Sequence, residues 1–534
     1  MRRLILAIVV SLVWVAGSHT GVANALSSGD KLLVSADNTF YVYVKAGEKL
    51  SVAFIRSQYY EVNINMLRVD VSITVDGPDV KQQKCIAKRD IAVGKGCVFK
   101  PVTAVKTGIW RINFTPAKGA RPFEEVSPTV RWGKNLFSWD ITVTGNNGEQ
   151  HGRMWTEGYA TRQSDPNQAD ATNDFTYYYV SEDGYIYKQT ENQYNGQVSI
   201  LSADSIGIRK DGGCISVYQS TEVEDKDYTP ALGSCGDKYK LFFEQPAGDL
   251  PTNSVRWDGT KDWMLPNVGH PVISELHFIP DGSKDQLSGN ITFFLHNFIG
   301  QYQVKVDTDG DGSFDGQNDV TLNEQMSGLS NDLLRIPFQG VDKTGGIISP
   351  SSKIGIEVVI TRVAEIHFVA SDVEGRGGIA VTRLNGDNAP TTRLCWNDAD
   401  LVPIADIRFT TTNVDGRDCP ESGGGIHGWA YDNYSWGNGR YIDDWTYATA
   451  KLDGKNTVTY PESTTEAIAK KQSNWLPAIL AGGAVVLIGS VVVVVVIVRR
   501  RKTPPPVAPL APPGVQSTGS QEPTSEQPSD LDRY

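Results

Sequence analysis

The chain has 534 residues and a formal net charge of −12, from 62 Asp and Glu against 50 Lys and Arg. A surface of that sign repels polyanions, so nucleic acid is excluded as the expected partner, while cation binding and solubility outside a cell are admitted. The length suits two to four domains besides short terminal segments.

The N-terminus reads as a secretory signal peptide over 1–25. Arg2 and Arg3 precede an apolar run, and Ala23-Asn24-Ala25 is a small-x-small cleavage site. An uncleaved anchor is the alternative, and the shortness of the run speaks against it. A first module is expected over 26–135. Val69, Val71, Ile73 and Val75 alternate with polar residues there, as do Trp110, Ile112 and Phe114. Period two is the mark of a strand with one buried and one wet face. A second module, 136–262, opens on Phe137-Ser138-Trp139-Asp140-Ile141-Thr142-Val143 and continues into Tyr-rich strands. A third, 266–452, carries the alternating Tyr302, Val304 and Val306. Asp76-Gly77-Pro78, Asp183-Gly184, Asp281-Gly282 and Asn385-Gly386 punctuate these runs as turns.

Residues 453–475 read as a polar stalk. The uncharged stretch 476–498 follows, bounded by Trp475 and by Arg499, Arg500, Arg501 and Lys502. At about 1.5 Å per residue it could span about 34 Å, enough for a bilayer core. The basic cluster places its C-terminal end in the cytoplasm. The expectation is a single-pass type I protein of the cell membrane with an extracellular ectodomain. Its cytoplasmic tail, 499–534, is rich in Pro and expected to be disordered. The expected fold class is all-β, with tandem β-sandwich-like modules followed by one transmembrane helix.

Six cysteines fall into three sequence-local pairs. In an exported chain they predict disulfides Cys85–Cys97, Cys214–Cys235 and Cys395–Cys419. No CxxC or Cys–His cluster supports zinc instead.

Residues 136–447 resemble a region of bacterial secreted and cell-surface adhesin-like proteins. The matching phrases are Gly152-Arg153-Met154-Trp155-Thr156-Glu157, Asp183-Gly184-Tyr185-Ile186-Tyr187 and Tyr194-Asn195-Gly196. Further on come Gly377-Gly378-Ile379-Ala380-Val381-Thr382-Arg383-Leu384-Asn385-Gly386, Ser435-Trp436-Gly437-Asn438 and Ile442-Asp443-Asp444-Trp445-Thr446-Tyr447. The phrases are specific together and not singly. The resemblance implies an exported surface protein of β-modules and no particular enzymatic activity. Leu476-Pro477-Ala478-Ile479-Leu480 begins like a sortase signal but lacks its Thr-Gly, so the anchor is expected to stay a membrane helix.

Asp307-Thr308-Asp309-Gly310-Asp311-Gly312-Ser313-Phe314-Asp315 is the sharpest candidate site. Carboxylates at positions 1, 3, 5 and 9 with Gly at 6 let one loop wrap oxygens around a hard cation. The expected ligands of a structural Ca²⁺ are Asp307, Asp309, Asp311, Asp315 and the Ser313 carbonyl. Position 12 is Asn318 instead of Glu, with Asp319 next, and no helices flank the loop. It is therefore not a sensor EF-hand, and an acidic hairpin turn is the alternative.

Trp429, Tyr431, Tyr434, Trp436, Tyr441 and Trp445 form an aromatic segment. It reads as a sugar-stacking face or, preferably, as core packing. Trp155 and Tyr177, Tyr178 and Tyr179 receive the same preference. His277 and His367 lie in apolar strands and, like the other histidines, read as satisfied structural groups. No HExxH or GxSxG is present, and no catalytic residue is assigned. The leading functional expectation is adhesion or binding of an extracellular protein or glycan. One alternative is an anchored carbohydrate-active hydrolase, using acids such as Asp443 and Asp444 or Asp398 and Asp400. The other is a structural component of the cell envelope.

Overall fold

Alternation becomes structure where it is plainest in the sequence. In strand Gly108–Pro116, Trp110, Ile112 and Phe114 are buried on one face. Val71, Ile73 and Val75 in strand Val71–Gly77 pack the same way, as do Tyr302, Val304 and Val306 in strand Gly300–Asp307. The computed structural model describes residues 28, 34, 38–60, 70–117, 135–162, 173–194, 198–210, 212–371, 375–401, 415–420, 425–428 and 439–462. These residues are all-β, in several sheets and without a helix. Among them no helix is long and apolar enough to cross a membrane. The expected signal peptide, the span at 476–498 and the tail lie outside the described residues.

Two large sheets organise the structure. The first has eleven strands. Its path runs from Thr391–Thr392 through Gly375–Arg383, Ile186–Tyr194, Asn173–Val180, Lys240–Phe242 and Met154–Thr156. It continues through Asn38–Val44, Gly108–Pro116 and Val71–Gly77 to Val80–Ala87. Strands from the stretches 26–135, 136–262 and 266–452 thus share one hydrogen-bonded sheet, which crosses the expected module boundaries. Tyr41 pairs with Trp155, and Tyr187 with Arg383.

At the N-terminal end, a five-stranded sheet that includes Lys49–Tyr60 and Asn135–Gly145 faces this one. Aromatic rings join the two layers: Phe54 to Phe114 at 5.3 Å, Phe114 to Phe137 at 5.5 Å, and Phe40 to Trp139 at 5.3 Å between centroids. Buried aromatics of this size dominate the apolar free energy of such a core.

The second large sheet has nine strands around Ile354–Ser371, an 18-residue strand. The register slips between Val363 and Ile366, where buried Ala364 adopts φ +55°. A non-Gly residue with positive φ at a register slip is a bulge, which bends the strand and re-aims the side chains beyond it. Before the bulge, the strand pairs with Gly300–Asp307 and Thr457–Tyr460. After it, the strand lies between Val198–Asp204 and Arg440–Ala448. Glu365 and His367 sit just past the bend.

The turn between Asn173–Val180 and Ile186–Tyr194 depends on glycine. Gly184 has φ +88°, and a Cβ there would lie 2.3 Å from the Pro266 carbonyl oxygen. Both the conformation and the close approach exclude a larger residue.

All three expected disulfides are present, with Cα separations of 5.9, 5.4 and 4.2 Å for Cys85–Cys97, Cys214–Cys235 and Cys395–Cys419. Cys85–Cys97 ties Val80–Ala87 of the eleven-stranded sheet to Gly96–Val98 of the facing one. Closing a short loop of this kind stabilises by about 3 kcal/mol, chiefly through the unfolded chain. The double variant Cys85→Ala/Cys97→Ala is therefore expected to lose about 2–4 kcal/mol in denaturant unfolding. A loss under about 0.5 kcal/mol would show that the facing sheets need no tie.

Candidate functional site

The acidic loop lies where strand Gly300–Asp307 hands over to strand Val320–Met326. Asp307 is buried at the strand end. Its Oδ1 accepts the Gly310 amide at 2.7 Å and its Oδ2 accepts the Gly312 amide at 2.9 Å. These bonds curl the chain so that carboxylate oxygens of Asp307, Asp309 and Asp311 lie within 4.8 Å of one another. Asp309 and Asp311 are exposed. The Asp311 amide hydrogen-bonds the Asp309 carboxylate and favours its charged form. Desolvation and the negative charges of Asp311, Asp319 and Asp307 nevertheless hold it above the usual range. Crowded like charge of this kind attracts a cation.

Three of the four expected carboxylate ligands therefore converge. Asp315 turns away and pairs with Lys305 Nζ at 2.7 Å. Ser313 donates its amide to Asp311 Oδ1 at 2.7 Å, while its hydroxyl accepts the Asp315 amide at 3.3 Å. Asp319 closes the loop, accepting the Thr308 amide at 3.0 Å and the Gly316 amide at 2.7 Å. The donor set is all hard oxygen, which fits Ca²⁺ better than a thiophilic metal.

The second constellation is a buried ion-pair core built on strand Arg440–Ala448. Adjacent residues of a strand point to opposite faces, and Asp443 and Asp444 each meet a different histidine. Asp443 Oδ1 lies 2.8 Å from His367 Nδ1, and its Oδ2 accepts the Ile208 amide at 3.1 Å. His367 Nε2 faces Glu365 Oε1 at 3.7 Å. That same oxygen accepts the Tyr218 hydroxyl at 2.7 Å and Arg362 at 3.3 Å. On the other side, His427 bridges Asp444 Oδ1 at 2.6 Å and Asp398 Oδ2 at 2.9 Å. Ser220 joins the two halves: its hydroxyl donates to Asp398 at 2.6 Å and accepts the Asp443 amide at 3.2 Å.

Electrostatics follow from this geometry. Burial disfavours charge on both imidazoles, but the carboxylates outweigh it. His367, facing Asp443 and Glu365, and His427, facing Asp444 and Asp398, are both pushed up to about 10. Both rings are imidazolium at neutral pH. Burial raises Asp443 and Asp444, with the two histidines pulling against it. Nearby Glu191 is raised to about 8, first by burial and then by the charge of Asp444. Its Oε1 accepts the Gln189 amide at 3.0 Å. Asp183, also buried, is raised to about 7.

Rings cover the charges. Trp396 stacks on His427 at 4.8 Å and 7°, and Trp445 on His367 at 5.9 Å and 24°. Trp445 is accordingly buried in the core, as are Trp155, Tyr177 and Tyr179. Trp429, Tyr431, Tyr434 and Trp436 lie outside the described residues. Of the acids considered for hydrolysis, Asp398, Asp443 and Asp444 are buried in these ion pairs and Asp400 is exposed. The reading of His367 as a structural histidine named neither its partners nor the network, because the nearest of them in space, Asp443, is 76 residues away in sequence. Comparison with protein-family models gives no match, and comparison with curated proteins finds no similar sequence.

Proposed function

We propose that the chain is an extracellular surface protein that works in adhesion or ligand binding. It would be anchored through 476–498, with the 307–311 turn holding Ca²⁺ as a structural clamp. The observation that carries this reading is the set of three disulfides across the β-structure. Structural disulfides persist outside the reducing cytosol. The facing sheets at the N-terminal end fit sandwich-like modules, and the resemblance to bacterial adhesin-like proteins points the same way. Asp307, Asp309 and Asp311 are the residues that would hold the cation. Its charge would offset their mutual repulsion and tie the turn to the end of strand Gly300–Asp307. A hydrolase reading draws no support from Asp443, Asp444 and Asp398, since a buried ion pair presents no carboxyl to a substrate.

Thermal melting tests the clamp. Ca²⁺ at a hundredfold excess over its dissociation constant adds about 2.7 kcal/mol, a rise of several degrees. Asp309→Asn, at an exposed position, is expected to remove that increment and, by relieving the repulsion, to leave the metal-free melting temperature unchanged or slightly higher. Equal melting temperatures in Ca²⁺ and in chelator would remove the cation from the reading. Surface display has its own check. Protease added to intact cells should cleave the 38–462 region and spare an epitope tag placed after Tyr534; protection of the whole chain would contradict it.

A further inference from the structure

A polar cleft opens on the outer face of the eleven-stranded sheet, far in sequence from the acidic loop. Its walls are Glu157 just past strand Met154–Thr156, the 232–240 segment beside disulfide Cys214–Cys235, and hairpin Asn253–Val255/Lys261–Trp263. Its volume is about 280 Å³, at the small end of ligand sites. Glu157, Asp237 and Asp262 face Lys238, Lys240 and Arg256 there, so acids and bases balance.

Most of these charges are already held in place. Lys240 is buried, with Nζ 3.2 Å from Asp262 Oδ2 and 4.0 Å over the Trp263 ring. Trp263 Nε1 donates to Asp237 at 2.8 Å. The Arg256 guanidinium lies 4.5 Å over Trp257 and 3.7 Å from Asp262. Two charged side chains of the lining, Glu157 and Lys238, are left without a hydrogen-bond or ion-pair partner among the described residues. Burial raises the Glu157 carboxyl above the usual range. Lys238 lies half-buried in the cleft wall. An acceptor and a donor left open in a charge-balanced cleft are available to the polar groups of a ligand.

We propose that this cleft binds a neutral saccharide unit, with Glu157 accepting from its hydroxyls and Lys238 and Arg256 donating to them. The balanced charges give neither an anion nor a cation an advantage. Leu232 is the one aliphatic side chain among the described lining residues, which disfavours an apolar ligand. Neighbouring hydroxyls, each both donor and acceptor, match such a lining. The inference rests on the binding reading above and names a site and ligand class for it.

The test is a titration of the full-length, disulfide-bonded chain with maltose, cellobiose and lactose, followed by Trp fluorescence and calorimetry. A glycan array carrying neutral and sulfated sugars extends the panel. Saturable binding of a neutral sugar is expected, weakened about tenfold or more by Glu157→Gln. Lys238→Gln, at a half-buried cleft wall, is expected to weaken it as well with unchanged melting. Asp309→Asn, in the acidic loop, is expected to leave sugar affinity unchanged. Binding untouched by both cleft variants would overturn the site while leaving the adhesion reading standing. A preference for sulfated over neutral sugars would overturn the ligand class. Absence of binding to every array sugar, together with absence of binding to immobilised matrix proteins, would overturn both.

Discussion

Asp443→Ala is expected to cost the folded chain about 3–5 kcal/mol in denaturant unfolding, among the largest losses a single substitution can produce. The variant leaves the His367 imidazolium buried with only Glu365 Oε1, 3.7 Å away, as a counter-charge. It also strips the Ile208 amide of its acceptor. The uncompensated groups, more than the lost attraction, set the size of the effect. Asp444→Ala acts on the other half, leaving His427 with Asp398 alone. Asp415→Ala is the control: its pair with Arg417 is exposed on both sides, and its loss should fall below about 1 kcal/mol. If Asp443→Ala and Asp415→Ala cost the same, the buried network contributes nothing special to the fold.

Stability is also expected to fall as pH rises from about 5 to about 10. The histidines His367 and His427 have folded values raised to about 10 from an ordinary 6.5. The folded state therefore keeps their protons where the unfolded chain releases them. Their contribution is complete below 6.5 and is lost as pH rises through 10. Glu191 is raised to about 8 and Asp183 to about 7. As acids held neutral by burial, they favour the folded state at low pH, and stability declines between their ordinary and folded values. All four slopes share one sign. A single group shifted by two units contributes about 2.7 kcal/mol, so the combined decline amounts to several kcal/mol. Asp70, Asp249, Asp258, Asp281, Asp342 and Asp415 act oppositely: their lowered values favour folding above the ordinary carboxylate range. All lie at the surface, Asp70 and Asp342 half-buried and the others exposed, and are screened by solvent, so they set only the acid limit. Melting at pH 5, 7 and 9 reads the slope, and Glu191→Gln should flatten its lower half. A melting temperature that climbs from pH 5 to pH 9 would contradict the assignment.

The faces of the strands were legible in the sequence, because alternation at 110–114 or 302–306 reports directly which side chains go inward. The disulfides were legible because each pair closes a short loop. Strand partners were not. Period two says that Tyr187 faces the core and nothing about its pairing with Arg383, almost 200 residues on. The shared eleven-stranded sheet follows from such pairings, so linear boundaries at 135 and 262–266 had no local signal to rest on. The acidic loop was legible to its third carboxylate. The diversion of Asp315 to Lys305 depends on a side chain ten residues upstream across a tight turn. Asp443 and Asp444 looked like a pair of acids for one task. Their opposite facing, and the two histidines that neutralise them separately, follow from strand geometry plus tertiary contacts.

Binding to extracellular surfaces tests the functional reading most directly. The full-length, disulfide-bonded chain is applied to immobilised matrix proteins and to glycan arrays, in Ca²⁺ and in chelator. Saturable binding to at least one surface component, weakened when chelator loosens the 307–311 turn, is the predicted result. No saturable binding to any component in either condition would contradict the assignment to adhesion.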